Sequence, residues 1–302
     1  MTVSHNVHVE RRAVPRPADV LELAKPVTWF PPMWAYACGV VSSGVPVRER
    51  SGLVLLGVVL AGPLVCATSQ VINDWFDRHV DAINEPHRPI PSGRIPGRWG
   101  LWLGLAGTLA SLGVGALLGR WGLLATALGL LLAWGYSMPP FRFKQNGWVG
   151  NLAVGLSYEG LAWVTGAAVM LGSVAPRAEI LFLALMYSLG AHGMLTLNDF
   201  KAIAGDTRMG VRSLPVQLGP GRAARVASAT ILLPQLAVIA ALVAWQRPLA
   251  AAAIGGLCVV QVLMMRRFVA QPVARALWYS ALGVPFSVLG MMVAAAAVRG
   301  LA

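Results

Sequence analysis

Apolar runs close to twenty residues long recur from about position 27 to the C-terminus, and they limit the fold more than any other feature of the chain. A helix needs roughly 20 such residues to cross the hydrocarbon of a bilayer. A water-soluble domain of 302 residues would alternate apolar and polar faces, because its surface must meet water. Here whole segments are apolar around their circumference, 57% of residues are hydrophobic and only 12% are charged. The chain is therefore expected to be an all-α membrane protein, a single polytopic domain over residues 1–302. The runs predict nine transmembrane helices, at about 27–43, 52–72, 99–118, 121–137, 149–171, 178–197, 223–245, 248–265 and 276–298. Residues 1–26 are left as a tail and 27–298 as the core, and only Gly119 and Arg120 separate the third span from the fourth, which predicts a tight helical hairpin.

The distribution of positive charge orients such a bundle. With nine spans, 18 of the 24 Lys and Arg residues fall on one side, among them Arg11, Arg12, Arg16 and Lys25 of the tail, and 6 on the other. That asymmetry predicts a cytoplasmic amino terminus and places the two long polar loops, 73–98 and 198–222, on the same side. The net charge of +12 is scattered in short clusters between apolar runs, which argues for lipid headgroups or an anionic substrate and against nucleic acid. No apolar stretch with a small-residue cleavage site precedes position 27, so no removable signal peptide is expected. Cys38, Cys66 and Cys258 all lie inside apolar runs and are expected to be packing residues.

A chain this poor in acids spends them unevenly. The segment "NDWFDRHVDAINEPHRPIPSG" (73–93) carries Asp74, Asp77 and Asp81 at i, i+3 and i+7. At 100° per residue these share one face if the second helix runs on past the membrane boundary. Three carboxylates so close repel one another unless a cation gathers them. An all-oxygen set suits Mg²⁺, which commonly shares its coordination with substrate phosphates. The second loop, "NDFKAIAGDTRMGVRSLPVQLG" (198–219), holds Asp199 and Asp206 with Lys201, Arg208 and Arg212, and "YSMPPFRFKQNGWVGN" brings Arg142 and Lys144 to the same side. Acids beside bases suggest a metal bridging carboxylate to phosphate, with Lys and Arg on the remaining oxygens. A lone acidic loop is more often a solvated surface; two of them on one side point to a diphosphate site.

Glu159 stands apart within the fifth span, where an ionisable group must face protein or a wet cavity. A proton acceptor, a polar ligand to the acceptor substrate and a simple buried hydrogen bond, with Tyr158 beside it, all remain open. His192 reads as an interhelical hydrogen bond, His79 and His87 as solvated, and Trp29, Trp99 and Trp148 as an interfacial belt.

Paired acidic loops at the ends of the second and sixth of nine spans resemble the UbiA superfamily of intramembrane prenyltransferases. The wording of the loops is similar to its chlorophyll and bacteriochlorophyll synthase branch, leaning toward the bacterial pigment in "MLTLNDFK" and "MGVRSLPVQLG". The likeness covers all but about the first 18 residues. The family's NDxxDxxxD motif is met by Asn73, Asp74, Asp77 and Asp81, and Asp199, Lys201 and Asp206 match its second motif. Ala204 stands where that branch often has an acid, which leaves fewer carboxylates for a second ion. The resemblance implies nine helices around a central cavity, with Mg²⁺ on Asp74, Asp77, Asp81, Asp199 and Asp206. It implies a C20 prenyl diphosphate (geranylgeranyl or phytyl) as donor, contacted by Asn73, Arg88, Arg142, Lys144, Asn198 and Arg208. The acceptor would be the propionate of a chlorophyllide-type tetrapyrrole, with Tyr158 and Glu159 counted among the substrate-binding residues, and the location the bacterial inner, intracytoplasmic membrane, with the active-site rim on the cytoplasmic side and other pigment-biosynthesis proteins as partners. The rivals are a prenyltransferase acting on a quinone precursor or on haem, and a transporter or non-catalytic pigment-binding protein. Transporters tend to place charge near the bilayer midplane, and only Glu159 is placed so here.

Overall fold

The computed structural model describes residues 13–172 and 174–301, so Arg11 and Arg12 lie outside the described residues. The described chain is helical, with one isolated backbone bridge and no strand. The helices are α1 (Pro17–Leu23), α2 (Phe30–Ser42), α3 (Ser51–Asn84), α4 (Trp99–Leu117), α5 (Gly119–Ser137), α6 (Gly147–Leu171), α7 (Ala178–Asp199), α8 (Ile203–Met209), α9 (Leu214–Leu218), α10 (Pro220–Ala244), α11 (Pro248–Ala270) and α12 (Pro272–Val298, interrupted at Gly283). Seven of those described are long and apolar enough to cross a bilayer: α3, α4, α6, α7, α10, α11 and α12. The protein is thus an integral membrane protein. The first and fourth expected spans fall on α2 and α5, which do not reach that standard; the 13 residues of α2 rise only about 20 Å.

Small residues let the helices approach. A Cβ on Gly39 of α2 would stand 2.0 Å from the Trp163 carbonyl oxygen, and one on Gly166 of α6 would stand 2.2 Å from that of Tyr36. The α2–α6 contact is thus backbone against backbone, as in close-packed membrane helices. Trp163 is buried beside it, stacks on Tyr187 at 5.5 Å and donates from Nε1 to Ser42 Oγ at 3.1 Å. In the wall made by α10, α11 and α12, Gln235, Gln261 and Ser287 satisfy one another. Gln261 Nε2 donates to Gln235 Oε1 at 3.1 Å, and Ser287 Oγ donates to Gln261 Oε1 at 2.9 Å.

Two helices contain a widened π turn. The turn in α3, Leu60–Cys66, surrounds Pro63, whose missing N–H cannot complete the usual ladder. The turn in α6, Leu156–Leu161, contains no proline and carries Tyr158 and Glu159.

The tail is an ordered part of the fold from Pro17 onward. Leu23 is fully buried against Val71 and Ile95. Arg94 clamps α1 from below, donating to Asp19 at 2.8 Å and to Glu22 at 2.5 and 2.7 Å. This strap delivers Lys25, which holds a left-handed backbone with φ of 48°, to the end of the bundle where the acids lie.

Candidate active site

The i, i+3, i+7 aspartates project from one continuous helix, because α3 runs through to Asn84. Asp74 and Asp81 are buried, 1% and 7% exposed, and Asp77 is half-buried. The three are not bare. Lys25 Nζ donates to Asp74 Oδ1 at 2.7 Å, Arg88 reaches Asp81 Oδ2 at 2.9 Å and stands 3.5 Å from Asp74 Oδ1, and Lys144 is hydrogen-bonded to Asp77. Arg88 also holds Glu85 at 2.6 Å, which keeps that carboxyl below its ordinary range. Burial lowers the Lys144 ammonium from the usual lysine value, with Asp77 opposing the shift. Three cations thus occupy carboxylate oxygens that the sequence pattern assigns to a metal, yet Asp74 Oδ2 stays buried without a partner. Among the described residues no three His, Cys, Asp or Glu side chains gather tightly enough to hold a metal ion alone.

The second acidic segment is built differently. The seven-residue spacing of Asp199 and Asp206 is not two turns of one helix: α7 ends at Asp199 and Asp206 begins from the separate α8. Asn151 of α6 donates to Asp199 Oδ2 at 3.3 Å and to Thr196 Oγ1 at 3.2 Å, tying the carboxyl to its own helix. Burial pushes Asp206 above the usual carboxylate range. Lys201 and Arg208 are exposed, and neither forms a hydrogen bond or ion pair with the acids among the described residues. Sequence spacing sets them beside the carboxylates; with the helix broken after Asp199, both are exposed and unpaired with the acids.

The two acidic segments meet. Tyr136, near the end of α5, lies within electrostatic reach of Asp77, Asp199 and Asp206 together. Backbone bonds fasten the loops around it: Arg212 N donates to Gln145 O and Gly147 N to Arg212 O, both at 2.9 Å. Asn84 Nδ2 also reaches Met209 Sδ at 3.4 Å. Arg142 sits in the same loop as Lys144 in a left-handed conformation, with its Nε buried and unpartnered.

Beneath this rim lies a cavity of about 470 Å³. Asn73, Tyr136 and Asn198 mark its polar mouth, and Asn73 Nδ2 donates to Ser137 Oγ at 3.1 Å. One wall is polar, with Ser69, Gln70, Tyr158 and Glu159; the Tyr158 hydroxyl is bonded by Ser69 Oγ at 2.9 Å and by Gln70 Nε2 and Cys66 Sγ at 3.2 Å each. The facing surface is apolar, including Leu132, Met194, Val284 and Met291. A largely apolar chamber beneath a charged rim suits a lipid-soluble molecule with an anionic head.

The sequence matches the UbiA prenyltransferase family over residues 26–289. The chain belongs to that family. It is 55% identical to the bacteriochlorophyll synthase 33 kDa chain of Cereibacter sphaeroides, over 99% of each chain. It is 40% identical to the chloroplastic chlorophyll synthase of Arabidopsis thaliana, over 92% of this chain and 73% of the relative. The fold is shared with a UbiA homolog from Archaeoglobus fulgidus bound to GPP and Mg²⁺, with a TM-score of 0.63 and 20% identity, over 94% of this chain and 100% of the other. Against the family's motifs, the structure adds Lys25, Tyr136 and Asn151 to the residues at the rim. None of these carries a local signal, since Lys25 and Asn151 meet their partners across 49 and 48 residues of sequence. His192, expected to make an interhelical hydrogen bond, instead packs its ring against Trp148 at 5.6 Å with its Nδ1 buried and unpartnered, whereas His79 and His87 are exposed, as expected.

Proposed function

We propose that this enzyme transfers a C20 prenyl group from its diphosphate to the propionate carboxylate of bacteriochlorophyllide, releasing pyrophosphate. The carrying observation is 55% identity to a bacteriochlorophyll synthase chain along essentially its full length. The apolar chamber beneath two converging acidic segments supports it.

The oxygen donors at the rim fit a divalent cation that shares its coordination with a diphosphate. Asp74 offers a buried oxygen without a partner, and an ion of this kind commonly takes its remaining ligands from substrate phosphates. Asp74, Asp77 and Asp81, with Asp199 and Asp206, would hold Mg²⁺, which when bound neutralises charge growing on the leaving diphosphate. The chain's own cations then change partners. Lys25, Arg88 and Lys144, now paired with the acids, are freed to donate to phosphate oxygens, while Arg142, Lys201 and Arg208 close over the head from the loops. Asn73 and Asn198 at the mouth orient the head. The C1–oxygen bond of the donor breaks as a propionate oxygen bonds to C1, and the electron pair leaves with pyrophosphate. The acceptor is already a carboxylate near neutral pH, so no strong base is required. The apolar walls keep water from the electrophilic carbon.

In this reading the chain is one domain of nine spans with the rim on the cytoplasmic side of the bacterial inner membrane, α2 and α5 completing the bundle. The test offers purified protein Mg²⁺, geranylgeranyl or phytyl diphosphate, and a panel of acceptors: bacteriochlorophyllide, chlorophyllide and a quinone precursor. Esterified tetrapyrrole with stoichiometric pyrophosphate is expected. A prenylated quinone precursor without pigment ester would overturn the assignment.

A further inference from the structure

Glu159 is left without a task by that mechanism. It is buried, 9% exposed, lines the cavity from the π turn of α6, and its Oε2 has no hydrogen-bond partner. Its depth follows from its neighbours: a Cβ on the adjoining Gly160 would stand 2.6 Å from Ser188 Oγ, which places the turn level with Ser188 of α7. Ser188 precedes Asp199 by three helical turns, so Glu159 sits about 16 Å below the rim acids at 1.5 Å per residue. Lys25, Arg88 and Lys144 are held by other carboxylates at the rim. Its titratable neighbours are Cys38 of α2 and Tyr158 of its own turn, whose hydroxyl is already bonded by Cys66, Ser69 and Gln70. An ionised carboxylate without a partner is costly at that depth, whereas the neutral acid offers one O–H donor.

We infer that Glu159 selects the acceptor by donating this hydrogen bond to a carbonyl oxygen on the macrocycle edge remote from the reacting propionate, namely the acetyl oxygen of a bacteriochlorophyllide. Chlorophyllide carries a vinyl group at that position, which accepts nothing. The inference rests on the prenyl-transfer reading above. With the acetyl-bearing acceptor the buried carboxyl is satisfied; with the vinyl-bearing one it stays unpaired in a chamber that excludes water. A site built around one hydrogen bond rejects an analogue lacking it far more strongly than an apolar pocket does. Ser69 and Gln70 are both engaged with the Tyr158 hydroxyl, and Glu159 Oε2 is the atom of that wall that is buried without a partner.

The experiment compares kcat/KM for both acceptors in the wild type, Glu159→Gln and Glu159→Leu, with geranylgeranyl diphosphate as donor. The wild type is expected to favour the acetyl-bearing acceptor by about tenfold or more. Glu159→Gln keeps most of that preference through its amide N–H, and Glu159→Leu brings the ratio close to one, chiefly by losing the acetyl-bearing acceptor. Resonance Raman spectra of the acceptor bound without donor supply a readout independent of turnover. The acetyl C=O stretch moves down in the wild type and in Glu159→Gln, and stays at its free position in Glu159→Leu. An unchanged ratio in Glu159→Leu, or a free acetyl frequency in the wild type, overturns the inference; should Glu159→Leu not fold, the wild-type spectrum decides. Equal esterification of both pigments by the wild type overturns this inference alone, whereas esterification of neither overturns the prenyl-transfer reading beneath it.

Discussion

Replacing Asp74 by Asn keeps the size of the side chain and removes its charge, and the structure separates the two effects that follow. Asp74 is 1% exposed, accepts from Lys25 at 2.7 Å and stands 3.5 Å from Arg88. Arg88 keeps Asp81 at 2.9 Å and Glu85 at 2.6 Å, so its charge remains compensated. Lys25 loses its carboxylate, but its side chain is 26% exposed and water takes over part of the interaction. The cost to folding is therefore about 1–2 kcal/mol, less than the 3–5 kcal/mol of breaking a fully buried pair. In a chain of this size that lowers the melting temperature by only a few degrees. Turnover suffers more, because a charged group is lost where the leaving diphosphate builds charge; removal of a comparable electrostatic group costs roughly 10²–10³ in kcat. The assay follows pigment ester by chromatography across a Mg²⁺ titration, beside a thermal melt in detergent. A kcat within about threefold of wild type at saturating Mg²⁺ would refute the assignment of Asp74 to the ion. A melt lowered by tens of degrees would instead make Asp74 a structural residue.

Gly39→Ala forces a methyl to within 2.0 Å of the Trp163 carbonyl oxygen, and α2 cannot yield without leaving α6; the variant is expected to lose several kcal/mol, seen as a fall in melting temperature or in detergent-extractable yield. Arg142→Ala removes a half-buried guanidinium from the loop that carries Lys144 and should raise KM for the prenyl diphosphate about tenfold or more while leaving that of the tetrapyrrole unchanged. Glu22 is held below the ordinary carboxylate value chiefly by its hydrogen bond from Arg94. A depressed carboxyl stabilises above its unfolded value and loses that contribution as pH falls through the folded one. Amide hydrogen exchange in α1, corrected for intrinsic rates, should therefore accelerate on acidification below the usual carboxylate range. In Arg94→Ala it should already be fast at neutral pH and insensitive to acid.

Much of the bundle is legible in the sequence because a helix in lipid is specified by length and apolarity, two properties a window of twenty residues reports. The spacing of Asp74, Asp77 and Asp81 carries more, since only a helix prolonged beyond the apolar run aligns them, and α3 is prolonged in that way. The same reasoning fails for Asp199 and Asp206. The turn at Phe200–Ala202 interrupts the helix, and nothing in local propensity marks it apart from Gly205 further on. The strap escapes too, because Asp19, Glu22 and Lys25 read as an ordinary polar tail until Arg94 and Asp74 are brought to them from 49 to 75 residues away. The π turn that presents Glu159 is equally silent in the sequence, since it contains no proline to mark it.

The buried amides of Gln235 and Gln261, joined with Ser287, have a mechanical consequence. Lipid supplies no substitute partner, so turning or sliding any one of α10, α11 and α12 by a single residue would strand several polar groups at once. That side of the chamber behaves as a fixed anvil. Any swelling needed to admit a bulky guest must come from the opposite flank, where glycine contacts rather than amide clasps join the helices.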